Sequence, residues 1–186
     1  MDDQMQLRLA VVVVAAVVAI VVWLLMRRRK TAALRARFGP EYDRVLESTR
    51  TPAEAERELQ QRQRRVESFS LRALTREEAE QFTASWRTVQ ARFVDDPHAA
   101  VVEADRLIED VMRARGYPIE DGAHKLDDLS VDHGPVVNHY RAGREVVARH
   151  GRGEASTEDL RSAMVHFRAL FDELVGANRS DVRRAS

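Results

Sequence analysis

An uncharged run of 18 residues near the N-terminus constrains this chain more than any other feature. Residues 9–26 read LAVVVVAAVVAIVVWLLM, without a charged side chain. As a helix this run would be about 27 Å long, close to the roughly 30 Å hydrocarbon core of a bilayer. A helix on the surface of a soluble protein would carry polar residues on one face. The run therefore predicts a transmembrane helix, since a lone span in lipid must satisfy its backbone internally.

The residues on either side of the run favour an anchor that is kept over a signal peptide that is removed. A signal peptide needs a basic leader and a small-residue cleavage site. The leader, residues 1–8, instead contains Asp2 and Asp3 before Arg8, and four basic residues follow the run directly. These four are Arg27, Arg28, Arg29 and Lys30.

The same flanks predict the orientation of the anchor. Residues 27–37 contain six basic residues and no acidic one. The positive-inside rule then places the N-terminus outside and the C-terminal part in the cytoplasm. Arg27, Arg28, Arg29 and Lys30 are also candidate contacts for anionic lipid head groups, although fixing the topology would by itself account for them.

Beyond the anchor, the pattern predicts helices only. No segment shows the apolar alternation of a strand, whereas helix start signals recur, such as Thr51-Pro52 followed by Glu54. The charged helix that Thr51 begins is expected to lie against the main domain, with self-association through residues 51–69 as the alternative.

The predicted segments are a leader at 1–8, a span at 9–26, a basic helix and a short helix at 27–50, a connector at 51–74, an acidic bundle at 75–176 and a flexible basic tail at 177–186.

The region 75–176 reads as an antiparallel four-helix bundle. Its first helix, 76–94, has Phe82, Trp86, Val89 and Phe93 at spacings of three and four, which predicts one buried face. The other helices are predicted at 97–115, 135–150 and 156–176. Residues 117–134 are predicted to be irregular, apart from a short helix around 121–128. The predicted fold class is all-α, with a transmembrane helix, a helical stem and this bundle.

The sequence offers no recognisable catalytic, cofactor or metal motif. The chain has no Cys and no glycine-rich phosphate loop. The segment DLSVDHGPVVNH resembles a calcium loop, but His133 and His139 replace the Gly and Glu that such a loop requires. We therefore predict neither cofactor nor metal. Region 75–176 has 13 basic and 20 acidic residues, a net charge of −7, which argues against nucleic-acid binding.

Two main functions remain after these exclusions, besides a stress or envelope structural protein that oligomerises through residues 51–69. The first is a membrane-anchored, non-enzymatic interaction or adaptor protein with an unidentified protein partner. The alternative is a small-ligand receptor or an enzyme with a site in residues 117–139, where acid-base side chains are concentrated. The candidate residues of that site, which also form a candidate partner surface, are Tyr117, Asp121, Asp128, Asp132, His133 and His139.

Several short segments resemble a group of small single-pass bacterial membrane proteins of unknown function. They are RFGPEYDRV at 37–45, RFVDDP at 92–97, RGYP at 115–118, LSVDH at 129–133 and STEDLRSAMVHFRALFDELV at 156–175. The resemblance implies the same architecture and a place in the bacterial inner membrane, and it brings no catalytic residue. Among the basic residues, 28 are Arg and 2 are Lys, which fits a GC-rich bacterial genome.

Overall fold

The computed structural model describes residues 2–119 and 124–184, with side chains at 13–119 and 124–176. The described residues form seven α-helices and no strand, so the predicted all-α class is confirmed. The helices are α1 (Asp2–Phe38), α2 (Pro40–Ser48), α3 (Pro52–Glu67), α4 (Arg76–Arg92), α5 (Pro97–Ala114), α6 (Lys125–Gly151) and α7 (Thr157–Arg184).

The first three helices and one residue of α6 enclose a small apolar core. Gly39 separates α1 from α2 with a φ of 54°, a left-handed conformation that glycine adopts without steric cost, and Pro40 then begins α2. The Thr51 side chain accepts a hydrogen bond from the Glu54 N–H and caps α3, as its sequence predicts. The buried apolar residues of this core are Leu34, Phe38, Tyr42, Val45, Ala55, Leu59, Val66 and, from α6, Val131.

Helices α4 to α7 form the bundle and enclose the larger core. Thr75 and Glu78 form a capping box at the start of α4, and Asp96 caps α5. Helices α6 and α7 run antiparallel, since His133 lies beside Glu173 at one end and Arg149 beside Asp159 at the other. The largest side chains buried in this core are Trp86, Tyr140, Phe167, Phe171, Ile108, Met112, Leu129, Leu170 and Leu174.

The prediction of irregular structure is wrong for residues 129–134, because α6 begins at Lys125 and continues through them. The short helix predicted around 121–128 overlaps the first turn of α6. Pro135 has no N–H to donate, so it resembles a helix start in the sequence. In the structure it follows a kink at His133, where φ is −124° and ψ is 29°. The helix before the kink is hidden from sequence analysis because polar residues such as Lys125 and Asp128 occupy buried positions and interrupt the apolar period.

Helix α6 belongs to both cores and joins them. Val131 is buried in the small core, whereas Leu129 and Val137 are buried in the large one. Helix α3 packs against α6. The end of α1 reaches the same helix, because the Gly134 backbone lies directly against the Phe38 carbonyl.

Within the described residues, no helix is both long and apolar enough to cross a membrane. The side chains of residues 9–12, the start of the predicted span, lie outside the described part of the chain.

Candidate functional site

A group of charged side chains lies where the first three helices meet α6, and we call it the junction cluster: Glu41, Arg62, Asp127 and Arg141. Glu41 and Arg62 are buried, whereas Asp127 and Arg141 are half-buried. The Glu41 carboxylate is 1% exposed. Arg141 donates two hydrogen bonds to it, at 2.6 Å to Oε2 and 3.0 Å to Oε1. Arg62 donates a third at 3.0 Å, and both guanidinium groups also lie within 4 Å of the Asp127 carboxylate.

The electrostatics of Glu41 fit a structural ion pair. Burial alone would raise the pKa of Glu41, but the hydrogen bonds and charge of Arg141, followed by those of Arg62, hold this pKa below its usual value. The carboxylate is therefore ionised at neutral pH and already saturated by donors. It is enclosed as well, so it has neither the free lone pairs nor the access that a general base needs.

The sequence analysis did not predict the junction cluster. One signal was present, because Arg62 lies in the apolar stripe of α3 between Leu59 and Val66. A charged residue on such a stripe, 7% exposed in the structure, indicates a buried partner of opposite charge. The sequence could not name that partner, since Arg141 is 100 residues away from Glu41.

Two of the predicted site residues are used in ion pairs with the first three helices. Asp128 is buried and accepts a hydrogen bond from Arg65 Nε of α3 at 2.6 Å. Burial raises the pKa of Asp128, although the hydrogen bond and charge of Arg65 oppose it. Asp132 accepts a hydrogen bond from Arg37 Nη2 of α1 at 3.0 Å. These two aspartates therefore hold α1 and α3 against α6.

Tyr117 and His133 do converge, and with them Glu173, which the sequence analysis missed. The rings of Tyr117 and His133 are 6.3 Å apart, and His133 Nδ1 lies 3.4 Å from Glu173 Oε1. Burial and the charge of Arg115 lower the pKa of His133, and Glu173 only partly offsets them. Burial also raises the pKa of Tyr117, to about 12.

The remaining predicted residues do not join this group. His139 follows His133 by six residues, about 9 Å along the helix axis. It lies on the surface, with its Nδ1 3.1 Å from the Nδ1 of His166 on α7. Asp121 lies outside the described residues. The five predicted residues that the structure describes therefore do not surround one cleft.

The candidate lipid contacts lie on different faces of α1. Arg27 and Arg28 border a surface cavity, and the Arg27 guanidinium lies over the Trp23 ring, 5.5 Å from its centroid. Arg29 and Lys30 are absent from the lining of this cavity. All four side chains are exposed.

The part of the chain that the structure describes holds no group of three or more side chains able to bind a metal ion together. No protein-family description matches the sequence, and neither a curated protein nor a solved structure shows significant similarity to it.

Proposed function

We propose that the protein is a single-pass bacterial inner-membrane protein that presents a helical domain to the cytoplasm as a non-enzymatic interaction or adaptor module. The observation that carries this proposal is the continuity of α1. One helix runs from the apolar residues through the basic segment to Phe38, which is fully buried in the small core. An anchor at 9–26 would therefore be joined to the domain without a flexible linker.

Exposure of the apolar residues supports the membrane anchor. Eleven large apolar side chains between Val13 and Met26 are 45–66% exposed and lie on every side of α1. At about 1 kcal/mol for each half-exposed side chain, covering them would gain on the order of 10 kcal/mol. That is as large as the whole stability of an ordinary domain, about 5–15 kcal/mol. A bilayer would cover all sides of the helix at once.

Rigid attachment supports the adaptor role. From Met26 to Leu34, the first residue buried in the small core, is eight residues, or about 12 Å of helix. Arg37 is bonded to Asp132, and the junction cluster connects the next two helices to α6. The bundle would thus stand at a short, fixed distance from the membrane. The acidic bundle would be repelled by an anionic leaflet and would favour basic partner surfaces.

The test of the adaptor role is capture of partners from intact membranes by crosslinking, with a variant that keeps the anchor and loses the bundle. Trp86→Asp is such a variant, because it places an unpaired charge in the centre of the bundle. Proteins enriched on the wild-type chain over Trp86→Asp would support the proposal. Equal recovery from both, or background proteins only, would contradict it.

The alternative of a ligand site in residues 117–139 has one observation in its favour. His133 Nε2 is buried and has no hydrogen-bond partner among the described residues. The replacement His133→Gln tests this function. If the His133→Gln variant captures the same partners as the wild-type chain but cells that carry it grow more slowly, a ligand site at His133 is favoured over the adaptor role.

Self-association through residues 51–69 also stays a prediction. Its apolar residues Ala55, Leu59 and Val66 are buried within the same chain. A dimer would therefore need to use the polar outer face of α3. Light scattering of the detergent-solubilised protein would show it.

A further inference from the structure

Six residues of α1 form a continuous face that borders a surface cavity of about 410 Å³. They recur at intervals of three or four residues, so they lie on one side of the helix. In the proposed orientation this face begins at the edge of the hydrocarbon core and extends into the cytoplasm. The residues that line it are Leu24, Arg27, Arg28, Thr31, Ala32 and Arg35.

The face places two guanidinium groups beside an apolar side chain at one level of the helix. Arg27 and Arg28 follow Leu24 within about one turn, and Arg27 is held over the Trp23 ring. At 100° per residue, Arg29 and Lys30 lie about 130° to either side of the centre of this face, and neither borders the cavity. The four consecutive positive charges are therefore divided into two that border the cavity and two that do not.

Carboxylates of the protein bound one end of the face, the end near Arg35 that lies farther from residues 9–26. Thr31 donates a hydrogen bond to Glu56 at 2.6 Å. Arg35 forms an ion pair with Asp43 at 3.3 Å and lies over the ring of Tyr42. Because these acids repel anions, an anion bound here would be confined to the part of the face between Leu24 and Thr31.

From this arrangement we propose that the Arg27–Arg28 face is a binding site for one anionic phospholipid. Its phosphate would accept hydrogen bonds from the two guanidinium groups, and one acyl chain would lie along Leu24 and the apolar residues before it. The inference rests on the proposed membrane anchor. It differs from general attraction to an acidic leaflet, because it assigns the binding to one side of the helix.

The test uses the full-length protein in lipid nanodiscs and the fluorescence of Trp23 as its probe. Acyl-brominated phosphatidylglycerol or acyl-brominated phosphatidylcholine is included at the same mole fraction, and quenching by the two lipids is compared. Trp86 is buried in the bundle core, so it contributes an unquenched background. We expect the wild-type chain to be quenched more strongly by the anionic lipid, with a preference of about fivefold for each guanidinium at low salt.

Two double variants with the same charge separate the local site from general attraction. Arg27→Gln with Arg28→Gln is expected to remove the preference for phosphatidylglycerol, whereas Arg29→Gln with Lys30→Gln is expected to retain most of it. Replacing Arg27 also changes the surroundings of Trp23 and therefore its fluorescence. The ratio of quenching by the two lipids is taken within each variant, because this ratio corrects for that change. An equal loss in both variants, or no preference in the wild-type chain, would overturn the proposal.

Soluble glycerol phosphate provides a further arm of the experiment. If it abolishes the lipid preference at millimolar concentration, the site binds free phosphates and the lipid proposal is wrong. Failure of the chain to enter nanodiscs would refute the membrane anchor itself. Normal insertion without a lipid preference would refute only this inference.

Discussion

Individual buried charges do much to hold the parts of this molecule together. The Glu41 carboxylate accepts hydrogen bonds from Arg62 of α3 and Arg141 of α6. Bringing such groups out of water is costly, so the net stability that the cluster contributes is modest. Once the groups are buried, however, loss of one partner leaves the others uncompensated. This asymmetry makes the cluster a specific connection between the first helices and the bundle.

The replacement Glu41→Gln is expected to destabilise the fold by about 3 kcal/mol, because it removes the buried carboxylate that lies between two guanidinium groups. Arg141 would then keep Asp127 as a nearby acid at 3.9 Å, and Arg62 would keep Asp127 and Glu58. The measurement is chemical unfolding of the detergent-solubilised protein. The control is Asp43→Asn on the same helix, where the carboxylate is 66% exposed and paired with Arg35. A surface pair of this kind contributes less than about 1 kcal/mol. Equal effects of the two replacements would show that the cluster is not a buried connection.

Trp86 is the residue on which the predicted core depends most. It is 1% exposed and stacks on Phe171, with ring centroids 4.6 Å apart. We expect Trp86→Ala to lower the free energy of unfolding by about 3–5 kcal/mol. Trp23→Ala, at a position that is 58% exposed, should leave it within about 0.5 kcal/mol. A loss below 1 kcal/mol at Trp86 would contradict the packing described for α4.

His133 should make stability depend on pH. Its folded pKa lies below the usual value of about 6.5, so the unfolded chain binds the proton more readily. The stabilisation is therefore complete above about pH 6.5 and is lost as the pH falls through the lower folded value. The free energy of unfolding is measured at pH 7.5 and at pH 5.5. We expect His133→Gln to reduce the difference between the two values.

His166 provides the control for that measurement. Burial and the nearby His139 lower the pKa of His166 as well, so it contributes to the same pH range. His166→Gln should reduce the pH dependence of stability only by the contribution of His166 itself. If His133→Gln leaves the difference between pH 7.5 and 5.5 unchanged, the burial of a neutral imidazole at the α6 kink is not what makes stability depend on pH.

Among the elements, α6 has the central position. It contributes side chains to both cores, kinks at His133, and receives the end of α1 at Gly134. A β-carbon at Gly134 would stand 2.4 Å from the Phe38 carbonyl oxygen, so the two helices would have to move apart. Glycine is therefore required here for close packing between the two backbones.

The replacement Gly134→Ala tests this contact between α1 and α6. The overlap is with backbone, which cannot move aside as a flexible side chain can, so we expect a loss of about 1–3 kcal/mol. Gly151→Ala, in the last turn of the same helix, meets no atom within 4 Å and should be neutral within about 0.5 kcal/mol. Thermal unfolding of both variants gives the comparison. A neutral Gly134→Ala would mean that α1 does not approach α6 this closely.

For the whole molecule, the distribution of charge predicts the orientation that the proposed anchor would take in a membrane. The formal net charge of zero divides into +5 in residues 1–74, −7 in residues 75–176 and +2 in residues 177–186. The six basic residues in 27–37 would be costly to translocate, whereas the leader with Asp2, Asp3 and Arg8 would not. This asymmetry favours a cytoplasmic bundle.

The chain has no Cys, so single cysteines report this orientation without background labelling. One cysteine replaces Gln4 and another, in a separate variant, replaces Ser186. In intact cells a membrane-impermeant maleimide is expected to label the first and not the second. Labelling at Ser186 alone would invert the topology and place the bundle in the cell envelope.

The sequence by itself determined the features that depend on neighbouring residues. The end of α1 before Gly39, the caps at Thr51, Thr75 and Asp96, and the buried face around Trp86 all follow from short-range geometry and period. Only the tertiary structure decided which helices meet. It paired Glu41 with Arg141, extended α6 back to Lys125 and separated His139 from His133. The reason is physical: a cap or an apolar stripe forms within a few residues, whereas a buried ion pair forms only between helices that the whole fold has brought together.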